Sequence, residues 1–570
     1  MAELKSKQYD FIVVGSGPSG STLTSTLSHS LPSASILLLE AGTAHSSQLV
    51  FDRYSAFLDL GAKEGWNWGY KTVPQTEVEG MEVDYSRGKG LGGTSLINFL
   101  LWNHGPRDDW NHIAHLTSSP SFSWTNVSSA FSSIENLHPP TYLDSRAKYV
   151  APNPGRHGAC GPVHVEYADE WEKHIEPLMK GAEEFGWKIN PDLNSGDPIG
   201  VGLGPATAKE GRRVTAKTAY LDRLSGDGKV EIRTGWKVAR VLVEGGRAVG
   251  VESIDGERVY AKKEVVLSAG GLDSPKILLL SGIGPKAQLE SLGIDVVQDL
   301  PGVGQNLQDH CHFPITAVLK PGFRTPNSIP PGSDALAAAR TQFAEDGSGP
   351  MSYVNGSYIL GFLQEPSIFD TDEFKSLDIE TQKHLKQPTV PTWELGSGLP
   401  LLAPPPPGPP REYMVSVGVL MNPQSRGTVT LKSLDPRDDA LFDPKLMTHP
   451  YDRLVLITSA KRILEFMAST SIAETIEAPL NVPESDSEED VLAFVRKNLR
   501  STWHMSGTCK MGTSDDSLAV VDSNFAVRGV EGLRVVDLSV LPVLVNAHPV
   551  GAAYLLGEMA GKVIGRKYEC

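Results

Sequence analysis

Cysteine, basic charge and long apolar runs are all scarce in this chain. Its four cysteines, Cys160, Cys311, Cys509 and Cys570, are widely scattered and form no CxxC pair. This spacing fits the reduced thiols of a cytosolic enzyme better than a disulfide framework. No stretch approaches the ~20 apolar residues that cross a bilayer. The formal net charge of −16 argues against nucleic acid or an anionic membrane as a partner.

A secretion signal and a metal-ligand cluster are also missing. The first ten residues, MAELKSKQYD, lead directly into an apolar strand, so we expect an intracellular, cytoplasmic protein. The histidine pairs His112/His115 and His310/His312 lack a third ligand at usable spacing, and we expect no metal site. With 570 residues, 40% of them hydrophobic and 21% charged, the chain is ordinary globular material for two or more domains.

Glycine, by contrast, is abundant, with 56 residues. The residues around the first glycine-rich run indicate what this run does. GSGPSG (15–20) follows the apolar run 11–14 and precedes a predicted helix over 21–31. A second apolar strand, 36–39, then ends in Glu40. This order of strand, turn, helix, strand and acid is that of a dinucleotide site.

Each residue of this motif has a defined physical task. Gly15 allows the turn, Gly17 lets the backbone approach a pyrophosphate at the helix N-terminus, and Gly20 permits close packing of helix on strand. Glu40 is suited to hold ribose hydroxyls. A glycine turn without a ligand remains the alternative at this point.

The rest of the chain alternates between regular and irregular stretches. Short strands are predicted between residues 229 and 267, and Asp273-Ser274-Pro275 predicts the start of a helix. The sequence SEED (487–490) predicts an N-capped helix that extends to about Arg500. Proline-rich segments at 326–334 and 403–410 predict long loops within 321–410. Those loops suit a lid over a site and a passive connection equally well.

Two more glycine-containing runs extend the pattern. GKGLGGTSLIN (88–98) and WHMSGTCKMG (503–512), together with blocks at 270–284, 300–310, 422–436 and 533–542, resemble the glucose-methanol-choline oxidoreductases, a family of FAD-dependent alcohol oxidases and dehydrogenases. The resemblance covers nearly the whole chain and is weakest over 319–413. Gly271 departs from it, because alanine, serine or threonine is more usual there.

The resemblance implies FAD as the cofactor. Ile97 stands where some members carry a histidine that links the flavin covalently, so we expect non-covalent FAD. The residues expected to bind it are Gly15, Gly17, Ser19, Gly20, Glu40, Gly92, Thr94, Asn98, Val238, Asp537 and His548.

Two histidines carry the chemistry that the resemblance implies. Taken alone, His504 and His548 each fit a buried structural histidine, whereas the resemblance makes them catalytic. We expect His504 to accept the hydroxyl proton of an alcohol while hydride passes to the flavin, and His548 to orient the hydroxyl. O2 or another acceptor would reoxidise the flavin.

The expected substrate is a small primary alcohol of aromatic or apolar character. An aromatic wall of Phe99, Trp102 and Trp503 favours it, although aromatic residues in such runs more often belong to the core. A lyase with structural FAD, like the family's hydroxynitrile lyases, is the alternative function. A non-catalytic flavoprotein is disfavoured because both histidines are present.

For the fold we expect α/β and α+β classes combined. A Rossmann-like FAD-binding domain would comprise 1–155, 211–312 and 515–570. A substrate-binding domain built on an antiparallel sheet would comprise 156–210 and 313–514.

Overall fold

The structure, a computed structural model, describes residues 8–45 and 65–569 apart from 141, 143, 169, 225–227, 324, 326–328, 330–332, 353–357, 402–405, 408–410 and 470. The proline-rich segments predicted as loops or a lid therefore lie mostly outside the described residues, and so does Cys570. Cys160, Cys311 and Cys509 are free thiols. Among the described residues, no helix is both long and apolar enough to cross a membrane.

The strands are β1 Gln8–Val14, β2 Ile36–Leu39, β3 Glu135–His138, β4 Val163–Glu166, β5 Gly200–Gly202, β6 Ala208–Lys209, β7 Arg212–Arg213, β8 Val230–Arg233, β9 Val238–Glu244, β10 Arg247–Ser253, β11 Arg258–Leu267, β12 Ile283–Gly284, β13 Gln298–Asp299, β14 Cys311–Leu319, β15 Ile359–Leu363, β16 Trp393–Leu399, β17 Tyr413–Leu420, β18 Thr428–Thr430, β19 Leu441–Asp443, β20 Ile476–Asn481, β21 Arg500–Ser501 and β22 Leu533–Val535.

The α-helices are α1 Pro18–Ser30, α2 Arg107–Leu116, α3 Trp124–Ile134, α4 Ile175–Glu184, α5 Ala216–Ala219, α6 Asp273–Leu280, α7 Lys286–Ser291, α8 Asp334–Asp346, α9 Asp372–Lys375, α10 Ile379–Leu385, α11 Pro450–Ser469, α12 Glu488–Asn498 and α13 Val550–Tyr568. Helices α6 and α12 begin where the sequence predicts them. Ser487 caps α12 by accepting the N–H of Asp490.

A mostly parallel sheet contains the first glycine turn. Strand β1 lies between β2 and β11, with β8 beyond β2 and β22 beside the end of β11, and all these pairs are parallel. Residues 11–14 of β1 are buried without alternation, as expected for a strand that is covered on both faces. The first half of β11 pairs antiparallel with β10, and β10 pairs with β9. The strands predicted over 229–267 are therefore confirmed.

A second sheet is antiparallel and has the order β15-β16-β17-β14-β20, with β21 beside the start of β14. Strand β17 alternates Val415, Val417 and Val419 on one face. The predicted fold class, a Rossmann-like layer combined with an antiparallel substrate sheet, is confirmed. The division of the chain into two discontinuous domains at the given residues stays a prediction.

Candidate active site

One elongated cavity of about 670 Å³ connects the glycine turn of the parallel sheet with the antiparallel sheet. Of the residues proposed from the sequence, those that line it are Gly15, Gly17, Ser19, Glu40, Thr94, Asn98, Phe99, Val238, Trp503, His504, Asp537 and His548. Gly20, Gly92 and Trp102 do not line it. The carboxyl end of β1 and the tail segment before α13 thus face the same space.

The turn after β1 has the geometry of an anion cradle. Gly15 has φ of +99°, and a Cβ at this position would lie 2.4 Å from the carbonyl oxygen of Ser268. Gly17 is the N-cap of α1, and a Cβ there would meet open space. The start of α1 thus lines the cavity, and the unpaired backbone N–H groups of a helix N-terminus suit a phosphate group there. Gly20 supports the turn from behind, since its Cβ would lie 2.0 Å from the carbonyl oxygen of Gly15.

Glu40, at the end of β2, is buried and held in place by this turn. Its Oε2 accepts the N–H and the hydroxyl of Ser16 at 3.1 and 2.6 Å, and its Oε1 accepts the N–H of Gly42 at 2.7 Å. Burial raises the pKa of the Glu40 carboxyl. The side chain is therefore fixed at the cavity wall.

The second glycine-rich run packs directly against the first. A Cβ on Gly93 would lie 2.7 Å from the Cα of Gly17, so only glycine allows this approach. Gly92, with φ of +108°, does not line the cavity, but its N–H donates to the carbonyl of Ser16 at 3.1 Å. We therefore correct its expected role from direct contact to support of the turn.

Two side chains within this run, Thr94 and Asn98, are also fixed. The Oγ1 of Thr94 accepts the N–H of Gly88 at 3.2 Å. The Oδ1 of Asn98 accepts a hydrogen bond of 2.7 Å from Nη1 of the buried Arg213. Sequence reasoning did not identify Arg213, because its contact with Asn98 spans more than a hundred residues.

Two further expected cofactor residues, Val238 and Asp537, lie at separate parts of the wall. Val238 begins β9. Asp537 follows β22, and its carboxylate accepts the N–H of Gly270, the hydroxyl of Ser274 and the N–H of Ser539. Asp537 therefore joins the tail to the start of α6, although its side chain is already committed within the protein.

The two expected catalytic histidines meet at the cavity. The rings of His504 and His548 are 5.0 Å apart between centroids and nearly perpendicular, at 84°. The backbone N–H of His504 donates to Oδ1 of Asp309 at 2.8 Å, which fixes this segment against the residues before β14. Burial and the neighbouring His548 lower the pKa of His504 well below 6.5.

Each of the two histidines has a neighbour that the sequence did not identify as functional: His310 is next to His504, and Glu394 is next to His548. Nδ1 of His310 lies 2.9 Å from Nδ1 of His504, and Oε1 of Glu394 lies 2.8 Å from Nε2 of His548. His310 belongs to a family-like block, which was a usable signal. Glu394 lies on β16 within the weakly matching region and had none.

The aromatic wall contains two of its three expected members. Phe99 and Trp503 line the cavity, and their rings stack at 6.0 Å with an interplanar angle of 20°. The placement of Trp102 is corrected. Its ring is fully buried and packs against Phe131 and Tyr554, because this part of the chain turns inward towards α3 and α13.

A separate buried cluster has the ligand types of a metal site. Carboxylate oxygens of Glu135 lie 2.7 Å from ring nitrogens of both His104 and His157. The other ring nitrogen of His157 lies 3.2 Å from Asp192. Hydrogen bonds between these groups account for the distances, and the absence of a metal stays a prediction.

The observed residues fit FAD. A cradle free of Cβ atoms, a helix N-terminus and a buried acid occur together at one end of the cavity, as a dinucleotide requires. From this end the cavity extends to the two histidines, and this second part would hold the flavin ring.

Comparison with known proteins agrees with this fit. The GMC oxidoreductase N-terminal model matches residues 9–312 and the C-terminal model matches 423–557. An oxygen-dependent choline dehydrogenase of Rhizobium rhizogenes is 30% identical over 97% of this chain and 95% of its own length. An FAD-dependent oxidoreductase from Chaetomium thermophilum has a TM-score of 0.87 at 27% identity over 98% of this chain and 99% of its own. A fungal aryl-alcohol oxidase has a TM-score of 0.86 at 25% identity with the same coverage.

Fold and site together define an FAD-dependent oxidoreductase. The chain belongs to the GMC oxidoreductase family, whose two regions account for most of its length. The predictions of family, enzyme class and FAD are thereby confirmed.

Proposed function

We propose that this enzyme oxidises a small primary alcohol of apolar or aromatic character to the aldehyde. The observation that carries the proposal is the perpendicular pair His504 and His548 at the wall of the cavity that begins at the phosphate cradle. FAD, when bound, supplies the two-electron acceptor for the hydride that leaves the carbinol carbon. We also propose that FAD binds without a covalent link, because Ile97 offers no nucleophile.

His504 is the proposed base. An alcohol loses hydride readily only as its hydroxyl proton is removed, and a neutral imidazole can accept that proton. Burial keeps His504 neutral at pH 7, because its pKa is lowered. Since Nδ1 faces His310, the atom left for the substrate proton is Nε2.

His548 is the proposed orienting residue. Its Nε2 is engaged with Glu394 at 2.8 Å, which fixes the ring and leaves Nδ1 for the substrate hydroxyl. The two imidazoles thus contact one oxygen from perpendicular directions, which limits the positions that the hydroxyl can take.

The walls near the histidines support an apolar substrate. Side chains of the antiparallel sheet, of the segment after the second glycine run and of the block before the tail contribute to this part of the cavity: Phe99, Leu101, Leu360, Leu399, Val415, Val417, Val419 and Trp503. Buried apolar walls favour ligands that have little to lose by leaving water. The choline dehydrogenase and the aryl-alcohol oxidase among the similar proteins both bear names of alcohol oxidations.

Anaerobic mixing of the FAD-loaded enzyme with a panel of alcohols tests the proposal. We expect apolar and aromatic primary alcohols to bleach the flavin absorbance, and oxygen to restore it with formation of peroxide if O2 is the acceptor. A lyase would instead cleave a hydroxynitrile without bleaching. No bleaching by any primary alcohol would contradict the proposal.

The variant H504A provides the residue-level test. We expect it to retain bound FAD but to lose 10²- to 10⁴-fold in the rate of flavin reduction, about the contribution of a general base. The variant H29A, at an exposed histidine outside the cavity, is the control. Normal reduction in H504A would remove His504 from the mechanism.

A further inference from the structure

His310 lies directly behind the proposed base. The two Nδ1 atoms of His310 and His504 are 2.9 Å apart, and the rings cross at 78° with centroids 5.1 Å apart. Both side chains are buried, at 0% and 7% exposure. A hydrogen bond between two imidazole nitrogens requires that exactly one of them carry a proton.

The backbone around this contact is held at several points. Thr502 donates its N–H to the carbonyl of His310 at 2.9 Å, and His504 donates its N–H to Asp309 at 2.8 Å. Trp503, between them, has φ of +58°, an unusual conformation that Arg87 supports through a hydrogen bond of 2.6 Å to its carbonyl. The backbone positions from which the two rings project are therefore fixed relative to each other.

Both imidazoles are neutral, which allows their protons to be counted. Burial and the nearby His548 lower the pKa of His310 to about 3, and the pKa of His504 is also well below 6.5. Each ring then carries one N–H. If His310 donates at Nδ1, the proton of His504 must be on Nε2, and His504 cannot act as a base there. If His504 donates, its Nε2 keeps a free electron pair.

We propose that His310 is a positioning residue that accepts the Nδ1 proton of His504 and thereby fixes the tautomer in which Nε2 of His504 is the acceptor for the substrate proton. This inference rests on the proposed function of His504 as the base. The same hydrogen bond remains when His504 takes up the proton, and it becomes stronger because its donor is then charged.

The second ring nitrogen of His310 gives a further indication that this residue has a function. Its second ring nitrogen, Nε2, is buried and has no hydrogen-bond partner among the described residues. In the proposed tautomer this nitrogen carries the N–H. Buried polar groups without a partner destabilise a fold and are retained mainly where function requires them.

The direct test is nitrogen NMR of the FAD-loaded enzyme with labelled histidine, in which H504Q identifies the signals of His504. We expect Nδ1 of His504 to be protonated and Nε2 to be unprotonated. The opposite tautomer would overturn the inference. This readout does not depend on turnover, so a failure of the proposed alcohol oxidation is distinguished from a failure of the tautomer assignment.

A pair of variants tests the consequence. H310L removes the acceptor, and we expect at least a tenfold slower flavin reduction with unchanged FAD content, a small change in KM and an unchanged or higher Tm. H310N restores an amide oxygen near the position of Nδ1, and we expect it to recover most of the rate. Equal rates in H310L and the wild type, or equal losses in H310L and H310N, would contradict the inference.

Discussion

Glu394 and His548 connect the antiparallel sheet with the tail of the chain at the active site, where Oε1 of Glu394 lies 2.8 Å from Nε2 of His548. Glu394 lies on β16 of the antiparallel sheet, and His548 precedes α13, which packs against α1 behind the phosphate cradle. The position of one proposed catalytic ring thus depends on the correct apposition of the two parts of the fold.

We predict that removal of this carboxylate impairs catalysis more than FAD binding. E394L leaves Nε2 of His548 without its partner, and we expect about a 10- to 100-fold loss in kcat/KM, the size of loss that is typical when a carboxylate that orients a functional histidine is removed. E394Q keeps an oxygen that can accept the same hydrogen bond and should lose less. The measurement is stopped-flow flavin reduction, with FAD content taken from the absorbance spectrum.

The control for E394L and E394Q is V417A, which enlarges the cavity at the same wall without removing a polar group. If E394L reduced the flavin as fast as the wild type, the orientation of His548 would not depend on Glu394.

Glu40 provides a prediction about cofactor affinity. In E40Q the amide would present N–H groups towards the donors of Ser16 and Gly42, and at least one of them would lose its acceptor. A buried donor without a partner costs about 1–3 kcal/mol, so we expect FAD to bind roughly 5- to 150-fold more weakly. Titration of the apoprotein with FAD, followed by fluorescence quenching, measures the Kd.

Variant S16A is the control for this change, because it removes one hydroxyl and leaves the carboxylate. We expect a smaller loss of affinity in S16A than in E40Q. An unchanged Kd in E40Q would show that Glu40 does not contribute to the cofactor site.

The sequence predicted the parts of this site that depend on local order. Gly15, Gly17 and Glu40 follow from the spacing of glycines between apolar strands, and His504 follows from the resemblance of the contiguous block 503–512 to the family. The sequence could not predict that Phe99 lines the cavity while Trp102 is buried. The two residues lie three positions apart in an irregular segment, where only tertiary packing decides which ring faces the cavity. The same holds for Glu394, which reaches His548 across 154 residues.

The buried cluster around His157 predicts a pH-dependent stability. Burial alone would lower the pKa of His157, but hydrogen bonds with Asp192 and Glu135 raise it to about 9. A histidine with a raised folded-state pKa stabilises the fold fully below its unfolded value of about 6.5. This contribution is lost as the pH rises from about 6.5 to 9 and amounts to about 3 kcal/mol for such a shift.

The test compares the Tm of the wild type and H157Q across this range. We expect the wild type to be clearly more stable at pH 6 and the difference to shrink towards pH 9.5. H29Q, at an exposed histidine on α1, is the control. A difference that stays constant from pH 6 to 9.5 would mean that His157 is not charged in the folded protein.

Three glycines on one face of α13 provide the last prediction, because they allow close packing against α1. A Cβ on Gly557 would lie 2.3 Å from the carbonyl oxygen of Ser19, whereas one on Gly565 would approach only the side chain of Ser30, at 2.8 Å. Gly561 is intermediate, facing the side chain of Thr26 at 2.6 Å. A backbone atom cannot yield as a side chain can.

Substitution by alanine should therefore have graded effects. Alanine in a helix interior gains roughly 0.5–1 kcal/mol over glycine, while overpacking costs about 1–3 kcal/mol. We expect G557A to lower the Tm and weaken FAD binding, because α1 carries the phosphate cradle at its start. G565A should lower the Tm less and leave FAD binding unchanged, because its contact, Ser30, lies at the other end of α1. Thermal unfolding with and without excess FAD measures both effects. If G557A and G565A behaved alike, the close contact of α13 with the start of α1 would not control the cradle.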